Sequence, residues 1–135
     1  MAPVDNAVTA RRNGTTMSGL VPAFSVQRQI VGDGIDLLKV SGVIDAHTFE
    51  HFDDAIQEVF SEGRFRLVLD MSDISYVSSA GAGVLIGSAN EADANGGGLL
   101  LLHLPEKPMQ LLMDLGLDNV LTTVEGADEA LAAFE

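Results

Sequence analysis

Two adjacent serines, Ser78 and Ser79, stand in "YVSSAGAGVLIG", residues 76–87, between a strand-like run and an apolar helical pattern. A serine at such a point offers three chemistries: a nucleophile, a helix cap, or an acceptor for a phosphoryl group. The nucleophile reading fits poorly, because "SSAGAG" is not G-x-S-x-G and no histidine occupies a recognisable partner position. Capping is the simplest reading, since a serine oxygen accepts a bond from an otherwise orphaned helical amide. It leaves the bareness of the next turn unexplained. Ala80, Gly81, Ala82 and Gly83 follow directly, with Gly87 one turn further on. Each helical glycine costs roughly 1 kcal/mol relative to alanine, so some gain must offset them. One gain is close approach of helix to sheet; another is open access to the serine for another protein's active site.

The electrostatics of the position suit a phosphoryl group. A phosphoserine adds about −1.5 to −2 charge, and a helix N-terminus presents free amides and the positive end of a dipole. The fold would carry that charge with little loss. A partner docked over the same patch would have to bury a dianion, at a cost of several kcal/mol, equivalent to roughly a thousandfold in affinity. Such a switch needs local charge at an interface and no refolding.

Three other constellations invite chemistry. "HTFEH" at 47–51 matches H-x-x-E-H, which would place His47 and His51 on one helix face as zinc ligands. The same helix has Phe49 and Phe52 as its inward side, however, so the histidines are expected on the wet face among Glu50, Asp53 and Asp54. No metal site is expected. Gly81, Gly83 and Gly87 form G-x-G-x-x-x-G, which departs from the dinucleotide pattern in spacing and lies inside the helix rather than before it. His103 falls on an apolar run, where a hydrogen-bonded structural histidine is expected.

The elements that must position these residues read as follows. "FSVQRQIV" and "IDLLKVSGVI" are strands joined by the turn signal "GDG" at 32–34, hence an antiparallel hairpin. From Ala46 to Phe60 the period changes: Phe49, Phe52, Ile56, Val59 and Phe60 mark an amphipathic helix, with Asp45 as its cap and Gly63 as its stop. "RLVLDM" and "LLLLHL" are buried strands, and Ser79 to about Asn95 is a helix ended by "NGGG". Pro105 and Pro108 bracket the start of a helix running through "MQLLMDLG", followed by a short strand "NVLTTV" and a terminal helix "ADEALAAF". The order β-β-α-β-α-β-α-β-α predicts an α/β fold, a mixed β-sheet of about five strands with about four helices packed against it.

The 135 residues suffice for one core, and 47% hydrophobic content suits a well-buried domain. Residues 1–23 read as a flexible polar tail and residues 24–135 as the folded domain. The tail carries Arg11, Arg12 and Asp5, so that of the net charge of −13 the domain holds −14. Such a surface repels nucleic acid and anionic lipid and favours basic or neutral protein partners. With no cysteine there is no disulfide framework and no thiolate chemistry, which fits a cytoplasmic protein. No apolar run reaches the roughly 20 residues of a membrane span.

These pieces together resemble the STAS family, in particular the bacterial anti-sigma factor antagonists. "VSGVIDAHTF" is similar to the family's G-x-[LI]-D-x-x-[TS] turn at Gly42, Ile44, Asp45 and Thr48. "LVLDMSDISYVSSAGAGVL" is similar to its signature strand, loop and helix, and "LLMDLGLDNVL" to its later helix end at Gly116 and Leu117. The resemblance spans about Phe24 to Phe134 and implies that Ser79 is the phosphorylated serine. The chain departs from the common pattern at Ser78, where an aspartate is usual, at Ala80, and at Ala82, where a larger apolar residue is usual. Ser78 is therefore a rival acceptor. The implied mechanism is partner switching. The unphosphorylated protein binds an anti-sigma factor that is also a serine kinase, the kinase phosphorylates and releases it, and a PP2C-type phosphatase restores it. The implied docking face comprises Asp45, Thr48, Ser78, Ser79, Ala80, Gly81, Ala82 and Gly83. The chain would then be no enzyme, need no cofactor, and exist as a monomer or weak dimer. Two rival readings are a STAS scaffold subunit of a transporter or sensory complex, and a small-ligand or nucleotide-binding module.

Overall fold

The computed structural model describes residues 24–134; the expected tail at 1–23 lies outside the described residues. The hairpin comes first. Strand β1 (Phe24–Gly32) pairs antiparallel with β2 (Ile35–Ile44), and the turn closes on Gly34 at φ +70°, a left-handed conformation that suits glycine. Helix α1 (Phe49–Ser61) then crosses to β3 (Arg66–Val77), and α2 (Ser79–Ala94) crosses to β4 (Gly98–Leu102). Helix α3 (Glu106–Asp114), β5 (Thr122–Val124) and α4 (Ala127–Ala133) complete the chain. The sheet order is β1-β2-β3-β4-β5, with every pair after the hairpin parallel. The predicted mixed sheet of five strands and four helices is the architecture observed.

Alternation along the strands builds two cores, one per sheet face. Leu38, Val40, Leu67, Leu69, Met71, Leu99 and Leu101 face α1, α2 and α3. Ile35, Val68, Leu100, Leu102 and Val124 face α4 through Ala130, Leu131 and Phe134. Helix α1 buries Phe52, Ile56, Val59 and Phe60, the stripe its periodicity predicts. Helix α2 instead buries small residues, Gly81, Ala82, Ser88, Ala89 and Ala92, around the single large Leu85. Small inward side chains let its backbone lie close to the sheet. Both α2 and α3 end in a left-handed glycine, Gly96 and Gly116; the next residue in each case bonds back to the helix, Gly97 N–H to Ala92 O and Leu117 N–H to Leu112 O, each at 2.8 Å.

Several expectations change in detail. Strand β3 does not stop at Met71; it runs on to Val77, with irregular register against β2 where the polar pair Ser72–Asp73 falls. Helix α1 begins at Phe49 rather than Ala46, and β5 keeps only three residues of "NVLTTV". His103 is not on a strand: β4 ends at Leu102, and His103 is exposed in a left-handed conformation, φ 57°. No helix among the described residues is long and apolar enough to cross a membrane.

Candidate functional site

Strand β3 delivers the serine pair to the C-terminal edge of the parallel sheet, where the chain turns directly into α2. Ser78 has extended backbone, φ −82° and ψ 173°, and its N–H donates to Ile44 O at 2.7 Å, fastening it to the end of β2. Its hydroxyl accepts from Gly81 N–H at 3.2 Å, the N-cap bond that serine at this position makes. Ser78 is half-buried. Ser79 is the first residue of the helix and is exposed. The two neighbours thus divide the roles: one oxygen closes the helix, and the other faces outward beside amides that have no intrahelical partner.

The glycines divide too. A Cβ on Gly81 would stand 2.6 Å from Ile44 Cγ2 and 3.0 Å from Val77 Cγ1, so the first turn of α2 rests directly on the ends of β2 and β3. A Cβ on Gly83 or Gly87 would meet nothing within 4 Å. Close approach therefore accounts for Gly81, and openness for the other two.

The turn before α1 is tied by its own side chains. Thr48 Oγ1 donates to Val43 O at 2.7 Å and accepts from Asp45 N–H at 2.9 Å, while Asp45 Oδ1 accepts from His47 N–H at 2.8 Å. The expected capping of α1 by Asp45 is therefore replaced by a turn in which Asp45 serves residues before the helix; Thr48 takes the N-cap position without a side-chain cap bond. Thr48 is only 5% exposed. Of the eight residues expected on a docking face, Ser79 and Gly83 are exposed and Asp45, Ser78 and Ala80 half-buried. Thr48, Gly81 and Ala82 are buried and support that surface from beneath. His47, in the turn before α1, and His51, on the helix, are both exposed, and no cluster of three metal-ligating side chains occurs among the described residues.

The opposite end of the sheet carries an ion network that the sequence did not disclose. Asp36, wholly buried, accepts from Arg28 Nε at 2.8 Å and from Arg64 Nε at 2.6 Å. Arg28 also grips Glu62 with both terminal nitrogens, each at 2.8 Å. The hydrogen bonds that Arg28 donates hold the Glu62 carboxyl below its usual range, and the same bonds raise the Arg28 guanidinium above its own. The signal for this network was Asp36 itself, an acid in phase with Leu38 and Val40 on an apolar strand. A hollow of about 330 Å³ opens at this end, beside Arg64, Arg66 and the Gly96–Gly97 turn. It lies away from the serine pair. Gly97 there is a packing glycine, for its Cβ would stand 1.9 Å from Phe65 O.

Comparison with known proteins agrees with this architecture. A family model described as "Mlab, STAS domain" matches residues 32–123, more than half the chain. The anti-sigma-B factor antagonist of Staphylococcus epidermidis is 24% identical over 99 residues, covering 73% of this chain and 92% of its own. Among solved structures, an anti-sigma factor antagonist from Mycobacterium paratuberculosis superposes with a TM-score of 0.73 at 23% identity, covering 82% of this chain and 93% of its own. The anti-sigma factor antagonist SpoIIAA in its unphosphorylated form gives 0.68 at 20% identity, over 81% of this chain and 95% of its own. The same Bacillus protein, solved in a phosphorylated form, gives 0.63 at 20% identity, over 81% and 98%. The matched span takes in the hairpin turn, all three crossover helices and the serine pair between β3 and α2, and the chain belongs to the STAS domain family.

Proposed function

We propose that this protein is an anti-sigma factor antagonist switched by phosphorylation of Ser79. The observation that carries the reading is the division of labour in the serine pair: Ser78 is committed to the cap, while Ser79 is exposed at the first position of α2. The chain acts as ligand and substrate. Unphosphorylated, it docks through the exposed tip of α2 and the adjoining Asp45 turn onto an anti-sigma factor, freeing the sigma factor that factor holds. The anti-sigma factor, acting as an ATP-dependent serine kinase, transfers a phosphoryl group to the Ser79 hydroxyl, whose proton is lost as ATP becomes ADP. A PP2C-type phosphatase hydrolyses the phosphoserine and returns the protein to its binding form. These partners place the work in the cytoplasm, with residues 24–135 as the acting domain.

The relatives support the reading by what they are: the curated one is named an antagonist of an anti-sigma factor, and SpoIIAA has been solved with and without phosphate. The acidic surface supports it as well, since −13 net charge favours a basic protein partner over nucleic acid. A pull-down comparing Ser79→Ala with Ser79→Asp tests the proposal, with mass spectrometry of the serine pair after incubation with ATP and the captured kinase. The Ala variant should capture an anti-sigma factor and the Asp variant should not. Phosphate should appear on Ser79. Equal capture by both variants, or an unmodified serine pair, points instead to a scaffold subunit whose serines are structural.

A further inference from the structure

Gly83 and Gly87 sit one turn apart in the interior of α2, where glycine is a poor helix former, and nothing inside the molecule uses their missing side chains. They line a groove of about 440 Å³ between α1 and α2, with Phe49, Ala80 and Val84 as its apolar lining. Asp53 on α1 and Glu91 on α2 flank it, Glu91 being held by Gln57 Nε2 at 2.9 Å. The groove begins at Ala80, the residue after Ser79, and extends to Glu91.

Resting on the antagonist reading above, we propose that this groove seats a basic helix of the anti-sigma partner, its backbone drawn against Gly83 and Gly87 and its Lys or Arg side chains meeting Asp53 and Glu91. Helices ordinarily pack 8–10 Å apart, the distance being set by the side chains between them. Two glycines facing open space allow a closer approach than any other residues would. From Ala80 to Glu91 is roughly 16 Å of helix, about three turns of an occupant. Charge selects among occupants: acids on both flanks favour a cationic segment. A second copy of this chain, carrying −13, would bring like charge to the same place. Glu91 lies roughly 18 Å along α2 from Ser79. The charge pairing there is thus separate from the serine switch, one anchoring the partner and the other deciding its release.

The test uses the full chain and the purified anti-sigma factor captured by Ser79→Ala. Gly87→Leu and Gly83→Leu place a helix-forming side chain into open space, so the thermal midpoint should hold or rise while affinity falls at least tenfold. Asp53→Lys combined with Glu91→Lys should slow association, with the deficit shrinking in high salt. Asp128→Lys, on the opposite sheet face, should leave binding unchanged. Wild-type affinity in both leucine variants and in the double charge reversal, alongside loss of binding in Ser79→Asp, overturns the groove and leaves the antagonist reading standing. Should the wild-type protein capture no anti-sigma factor, the reading and the groove fall together.

Discussion

Gly81 lies against Ile44 so closely that a methyl group on its Cα would stand 2.6 Å from Ile44 Cγ2. Ile44 ends β2 and is wholly buried, and Val77, the next nearest neighbour, ends β3 beside it in parallel register. The tip of α2 is therefore seated on two strand ends at once, and the position of Ser79 relative to the sheet is fixed by a contact that only glycine permits.

Gly81→Ala should destabilise the fold by about 1–3 kcal/mol, the cost of overpacking a filled site. Chemical unfolding would show a lower midpoint with an unchanged slope. Ile44→Ala in the same chain removes the clashing Cγ2, so a double-mutant cycle should give a coupling of roughly 0.5–3 kcal/mol. Additive effects would mean that the contact does not seat the helix.

Ser78→Ala should cost about 1 kcal/mol, because the amide of Gly81 loses its side-chain acceptor. Ser79→Ala should change stability by no more than about 0.5 kcal/mol, as exposed substitutions do. Thermal unfolding of the two variants side by side distinguishes the capping serine from the outward one; equal losses would refute the division of roles.

Asp36→Asn should destabilise by about 3 kcal/mol. It strips the negative charge from a buried site where two guanidinium groups converge, and broken pairs of this kind are costly. Arg64 Nη2 is already buried without a hydrogen-bond partner among the described residues, so little nearby can compensate. The loss should appear in urea unfolding. Removing all three charges at the site with Asp36→Leu, Arg28→Met and Arg64→Met should cost less than Asp36→Asn alone.

The pH dependence has a definite sign. Glu62 is held below its usual pKa by the hydrogen bond from Arg28, so its contribution is fully present above the unfolded carboxylate value of about 4.3 and is lost as pH falls through the lower folded value. Glu62→Gln should therefore flatten the acid limb of the stability profile below about pH 4.3 while leaving its shape at neutral pH unchanged. Unfolding midpoints for both proteins at a series of pH values, at fixed ionic strength, would reveal it; parallel acid limbs would argue against the pair.

Much of the fold was legible because periodicity and turn residues agreed. "IDLLKVSGVI" is the observed β2 residue for residue, and the inward stripe of α1 was readable from its spacing. What escaped depended on hydrogen bonds and contacts that the hydrophobic pattern does not encode. Asp45 read as a helix cap, but the hydrogen bonds that it and Thr48 make close a turn onto Val43, and the helix starts only at Phe49. Strand β3 outran its apolar run because the parallel ladder to β2 continues past Ser72 and Asp73 through bulges. In the site, the pattern gave the serines and the glycines but could not separate Gly81 from Gly83. The difference between them is made by Ile44, some forty residues earlier in the chain. The groove was invisible for the same reason, since Phe49 and Asp53 meet Gly87 and Glu91 only once α1 and α2 lie side by side.

Ser79 belongs to the first turn of a helix whose preceding residue is pinned to Ile44 and whose third residue is wedged against that same isoleucine and Val77. On the phosphorylation reading, a kinase meets this hydroxyl on a fixed shape rather than on a loose string of letters. A synthetic peptide spelling residues 74–86 would offer the same hydroxyl on a wandering chain, without the scaffold that aims it. On the phosphorylation reading proposed above, specificity resides in the folded state, and a misfolded copy of the protein would go unmodified.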